Sequence, residues 1–122
     1  MPEEEVSPQL QDQIARLQQA RSQLQMITQQ RQQVEMQLKE VDEALQELGA
    51  ATDKTPIYKS IGSLLIKTKG KSEVQKELAA SKESLTLRKT TLEKQEGRSR
   101  EKLNEMQSKV ENALKLAGGK EQ

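Results

Sequence analysis

Carboxylates and ammonium groups are the side chains in this 122-residue chain with the most scope for chemistry, at 19 Asp and Glu against 20 Lys and Arg. Glu40 with Glu43, and Glu101 with Glu105, have spacings that set two carboxyls on one side of a helix. Two carboxyls whose pKa values are driven apart can serve as general acid and general base. That work needs a concave, partly dehydrated site to shift one of them. These residues lie instead in strongly polar helical segments among Lys and Arg, as Glu73 does three residues before Lys76. They read as solvated helix faces. Cys and His are absent, which excludes a thiol nucleophile, imidazole catalysis, a disulfide framework and the usual zinc ligation. No glycine-rich phosphate loop of Walker or Rossmann type occurs. The expectation is a protein that is not an enzyme and carries no metal or cofactor.

A second charged feature is local. From Lys54 to Lys71 there are five Lys and no acid, whereas Pro8 to Leu48 holds four basic against six acidic residues. A patch of +5 could touch nucleic acid. It has neither interleaved stacking aromatics nor a basic helix face, and lysines of this kind more often keep an exposed strand edge from pairing promiscuously. Nucleic acid is therefore not expected as a partner.

The elements that position these charges are a short β segment and two long helices. Within the basic stretch, Ile57, Tyr58, Ile61, Leu64, Leu65 and Ile66 fall in ten residues, with Ser60, Gly62 and Ser63 as turn formers. This predicts a β-hairpin. Leu64, Leu65 and Ile66 are consecutive, so they direct apolar side chains to both faces of it. A lone two-stranded hairpin is marginal in water and cannot cover both of its own faces. The hairpin reads as an assembly element, with Ile57, Tyr58, Ile61, Gly62, Leu64, Leu65 and Ile66 as the residues that carry it.

Apolar residues make up only 32% of the chain, and Tyr58 is its one aromatic. A narrow seam between helices needs about two apolar residues in seven and suits that scarcity. Ser7 and Pro8 read as N-cap and first helical residue. Leu10, Ile14, Leu17, Leu24, Ile27, Val34, Leu38, Val41, Leu45 and Leu48 then follow in steps that mostly alternate between four and three. Either Ala20 or Arg21 fills the seam after Leu17, and two three-residue steps together near Leu24 predict a stammer. Gly49 is expected just past the helix at C′, giving a helix over 8–49, about 60 Å long at 1.5 Å per residue. Pro56 prevents its continuation. After a hairpin over 55–69, Ser72 and Gln75 suggest a capping box and a second helix over 72–117. Its predicted seam runs Val74, Leu78, Ser81, Leu85, Arg88, Leu92, Gln95, Ser99, Leu103, Met106, Val110, Ala113 and Ala117, with a stutter between Ser99 and Leu103. Gly97 and the polar run Gln95 to Arg100 predict a loosened seam there, and Gly118-Gly119 a helix end.

Neither stripe can stabilise a helix alone. The expected fold is mainly α: a long antiparallel two-helix coiled coil in one domain spanning 1–122, with the hairpin at the end opposite the termini. Leu10, Ile14 and Leu17 would then face Met106, Val110, Ala113, Leu114 and Leu116. Leu114 and Leu116 lie off the seam, so two helices alone leave them uncovered. Such apolar surface marks either a partner site or a fraying end. Met1 to Val6 carries three Glu and no apolar run, unlike a secretory signal. No stretch approaches the ~20 apolar residues of a membrane span. A cytoplasmic protein without membrane contact is expected.

The order helix, hairpin, helix, with Tyr58-Lys59-x-Ile61-Gly62-x-Leu64-Leu65-Ile66 at its centre, resembles the β-type subunits of prefoldin from about Leu10 to Ala117. One hairpin rather than two is what separates the β-type from the α-type. A Gln-rich first helix without Cys or His suits an archaeal, cytosolic member. The resemblance implies a hexamer of two α-type and four β-type subunits, its hairpins forming a double β-barrel platform. It also implies ATP-independent capture of unfolded polypeptides at the coiled-coil tips and delivery to a group II chaperonin. Client contact would fall on Leu10, Ile14, Leu17, Met106, Val110, Ala113, Leu114 and Leu116. The alternative is a structural coiled-coil adaptor that oligomerises through its hairpin and binds one specific folded partner.

Overall fold

A computed structural model of the chain describes residues 7–119. Two long helices, α1 (Pro8–Gly49) and α2 (Lys71–Gly119), are separated by an antiparallel hairpin of β1 (Tyr58–Ile61) and β2 (Leu64–Lys67). The chain forms two compact units: one comprises the residues up to Gln30 together with those from Leu92 onward, the other Arg31–Thr91. The first holds the start of α1 and the end of α2, and the second holds the hairpin.

Ser7 starts α1 as an N-cap. Its Oγ accepts the Leu10 N–H at 3.1 Å and its carbonyl accepts the Gln11 N–H at 2.9 Å, which satisfies donors that the first turn leaves open. At the other end Gly49 departs from expectation. It is the last helical residue and has no positive φ. The end is closed instead by Ala50 N–H to Glu47 and Ala51 N–H to Leu48, at 3.2 and 3.1 Å. These three-residue bonds tighten the last turn and take up carbonyls that a left-handed cap would have satisfied.

The hairpin turns through Gly62-Ser63. Gly62 has φ 58°, and no non-glycine residue in the described chain has positive φ. Glycine alone at the first turn position is what a type II′ turn requires, and its twist matches that of the strands. Pairing sets Tyr58 opposite Lys67, Lys59 opposite Ile66, Ser60 opposite Leu65 and Ile61 opposite Leu64. Beyond the last pair, the Thr68 N–H and hydroxyl both donate to the Ile57 carbonyl, at 2.9 and 2.8 Å.

Gly70, at φ 130°, precedes α2, and the Val74 N–H reaches its carbonyl at 3.2 Å. Ser72 therefore lies inside the helix and is not its cap. Glu73 stands where a capping-box acid would reach back to the Gly70 N–H. That N–H is directed at Thr68 Oγ1, at 3.3 Å, and Glu73 Oε2 is shielded without a hydrogen-bond partner among the described residues.

In the first unit the helices run antiparallel. Leu10, Leu17, Leu103 and Val110 form a buried cluster, with Ile14, Ala20, Leu24, Met106 and Ala113 packed around it. Ala20, not Arg21, enters the seam, so the paired three-residue steps centre on Leu17 rather than near Leu24. Alanine can fill that layer at no desolvation cost, whereas a guanidinium would have to be paired there. In the second unit Val34 and Leu48 are buried, and ion pairs Lys82–Asp42 (2.8 Å) and Lys89–Glu35 (3.8 Å) link the helices.

The register of α2 differs from the expected one. Ser81, Arg88 and Gln95 are exposed, and the covered positions run Leu85, Lys89, Leu92, Glu96, Ser99, Leu103, Met106, Val110 and Ala113. These alternate four and three throughout, so no stutter lies between Ser99 and Leu103, and the extra step falls before Lys89. Ala117 is exposed as well. The region around Gly97 is not loosened into solvent: Thr28 Oγ1 donates to Glu96 Oε2 at 2.6 Å, and α2 continues through Gly97. Lys89 and Glu96, in place of the expected Arg88 and Gln95, are each held by a partner on α1, Glu35 and Thr28.

Candidate functional site

Two surfaces leave large apolar side chains in solvent. On the hairpin, Lys59, Ile61, Leu64 and Ile66 share one face, and Tyr58, Ser60, Leu65 and Lys67 share the other. Every strand residue is exposed, and Leu65 reaches 73%. Ile57, just before β1, is half-buried. Both faces thus combine apolar side chains with one lysine each. Lys59 Nζ lies 3.5 Å from Glu77 Oε2 on α2. That pair is half-exposed, so its contribution is at most a few tenths of a kcal/mol to about 1 kcal/mol. Its effect is to offset the one charge on the Ile61, Leu64 and Ile66 face.

The second surface lies where α1 begins and α2 ends. Of the eight residues expected there, Leu10, Leu17 and Val110 are buried, and Ile14, Met106 and Ala113 are half-buried against them. Leu114 and Leu116 remain 45% and 71% exposed. The seam steps three residues from Val110 to Ala113 and ends there, so Leu114, four residues past Val110, and Leu116, six past it, both stay outside it. The candidate site therefore divides into a packed layer and an uncovered pair of leucines. Beside it, Arg16, Ala20, Met26, Ser99, Lys102 and Met106 line a groove in which Met26 is exposed.

Sequence reasoning missed Leu87, which is exposed and sits two residues past Leu85, off any seam step. It also missed the polar contact of Thr28 with Glu96. Only the seam position of Glu96, seven residues before Leu103, could have signalled that contact. Met26 and Met36, which flank the seam, are both exposed. Among the described residues no group of His, Cys, Asp or Glu is arranged to hold a metal ion, and no helix is long and apolar enough to cross a membrane.

Residues 11–116 match the prefoldin subunit family. The chain belongs to that family. It is 44% identical to a prefoldin subunit beta of Archaeoglobus fulgidus over 94% of this chain and 98% of the relative. Identity to the prefoldin subunit beta of Sulfurisphaera tokodaii is 41%, over 91% and 88%. With that of Methanosarcina barkeri it is 38%, over 90% and 93%. The crystal structure of the prefoldin beta subunit from Thermococcus strain KS-1 superposes with a TM-score of 0.77 at 35% identity, covering 90% of this chain and 96% of the other. The resemblance is thus to prefoldin of the β-type, in sequence and in the helix–hairpin–helix order. Prefoldin subunits are non-enzymatic chaperone components that assemble with other prefoldin subunits.

Proposed function

We propose that this chain is the β-type subunit of a cytoplasmic prefoldin hexamer with two α-type and four β-type subunits. The hexamer captures unfolded polypeptides without ATP and passes them to a group II chaperonin. The observation that carries the reading is the exposure of Leu114 and Leu116 directly beside the buried Leu10–Val110 layer. The packed layer leaves these two leucines open to solvent beside it, and unfolded chains offer scattered apolar side chains to meet them. One such contact buries about 50–100 Å², or roughly 1–3 kcal/mol at ~25 cal/mol per Å². A single subunit end therefore binds weakly. Several ends on one platform raise the effective concentration, and avidity adds about 10²–10⁴-fold without new contacts.

Assembly through the hairpin supports the same reading, because each face carries apolar residues that only another subunit can cover. A structural adaptor with one folded partner would also oligomerise, and client range separates the two. The chain should be mixed with an α-type prefoldin subunit and the complex mass measured. Its suppression of aggregation of several unrelated denatured proteins should then be followed by light scattering without nucleotide. Protection of all of them is the expected result. Protection of none, or of one alone, would leave the adaptor.

A further inference from the structure

The apolar seam by itself discriminates poorly between registers. Leu17 and Leu24 on α1 are one heptad apart, as are Leu103 and Val110 on α2, so sliding one helix by seven residues again opposes apolar positions. Some other contact has to select the register, and in coiled coils a buried polar residue does so at a cost in stability. In the first unit that contact is Thr28 with Glu96. The hydroxyl donates to Oε2 at 2.6 Å, and the Glu96 side chain is only 13% exposed although it is charged. Arg100 Nη2 approaches the same oxygen from the solvent side at 3.7 Å. Leu24, Ile27 and Leu92 on the adjoining layers are buried or half-buried.

We propose that Thr28 and Glu96 are positioning residues that fix the register of α1 against α2, and so set which side chains stand beside Leu114 and Leu116. The two alternative registers are each penalised at Glu96. A slip in one direction carries Glu96 to the place of Leu103 and sets a carboxylate into the aliphatic Leu10, Leu17 and Val110 cluster, at a desolvation cost that the leucine does not carry. A slip in the other carries it to the place of Lys89, whose partner is Glu35, and opposes two carboxylates. Thr28 has a hydroxyl to offer only in the observed register. The proposal concerns the helix pair and stands whether or not the end surface binds clients.

The test uses the full chain, which has no cysteine of its own. Gln13 and Lys109, which line one groove, are replaced by Cys and spin-labelled, and labelled chain is diluted with unlabelled chain so that only intramolecular distances are read. In the otherwise native sequence one short distance is expected. Combining Thr28→Val with Glu96→Leu should add a second population displaced by about 10 Å, one heptad at 1.5 Å per residue, with helix content by circular dichroism retained. Glu96→Gln keeps an acceptor for Thr28 and should keep the single distance. An unchanged single distance in the double variant would overturn the proposal. Loss of helix content in the double variant would overturn it too, by making the pair a folding contact and not a register contact.

Discussion

Leu65 stands opposite Ser60 across the hairpin, on the face that carries Tyr58, while its neighbours Leu64 and Ile66 occupy the other face with Ile61. The hairpin is thus apolar on two sides, and Leu65 is the most exposed of its large side chains. Leu65→Asp would place a charge where assembly removes water, costing several kcal/mol per site. Light scattering should show smaller species than the native complex, with circular dichroism retaining the helices. A complex of native mass would refute the assignment of assembly to this element.

Gly62 tests the same element through its backbone. A side chain there would meet nothing within 4 Å, yet φ is 58°, so the penalty of Gly62→Val is conformational and amounts to about 1–3 kcal/mol. That converts to roughly 5- to 150-fold weaker assembly, readable as a raised midpoint in a subunit-dilution experiment. Helix content should not change.

At the other end of the chain, stability and binding separate. Leu103 is buried in the cluster with Leu10, Leu17 and Val110, so Leu103→Ala should destabilise by about 2–5 kcal/mol. Leu116 is exposed, and Leu116→Ala should lie within about 0.5 kcal/mol of the native chain. Urea unfolding of both variants measures the contrast. The same burial pattern shows that removing residues 1–14 and 110–122 would strip Leu10 and Val110 from the packed layer together with the exposed leucines. Point substitutions are therefore the cleaner probe of the surface.

Client protection by the assembled protein should need neither nucleotide nor metal. The sequence holds no phosphate loop, and among the described residues no group of His, Cys, Asp or Glu is arranged to hold a metal ion. Adding ATP with Mg²⁺, or a chelator, should leave aggregation suppression unchanged when no chaperonin is present. A dependence on either would contradict the reading.

Much of this was readable from residue order. Ser7-Pro8 marks the start of α1 because capping needs a short hydroxyl followed by a residue that spares an N–H. Gly62 marks the turn because positive φ there excludes most other residues. The seam of α1 was legible because its layers are nearly all aliphatic. The seam of α2 is legible only in part: Ser99 lies on it as expected, but stepping in fours and threes from Leu85 selects Arg88 and Gln95, whereas Lys89 and Glu96 occupy those layers. Those positions are set by Glu35 and Thr28 on the other helix, a tertiary fact that no local pattern contains. The start of α2 was misread at Ser72 for a similar reason: Thr68, outside the helix, takes the Gly70 N–H. Among the candidate client residues, spacing groups all eight at one end and sets Leu114 and Leu116 off the seam, and packing agrees, with the other six in or against the layer and these two exposed.

The central claim, that those two uncovered leucines hold clients, is tested most directly in the assembled hetero-oligomer carrying Leu114→Ser with Leu116→Ser. Light scattering of an unrelated denatured protein, diluted into the native and the variant complex at equal concentration without nucleotide, gives the comparison. The variant complex should keep native mass and helix content and lose most of its protection. Protection equal to that of the native complex would contradict the claim.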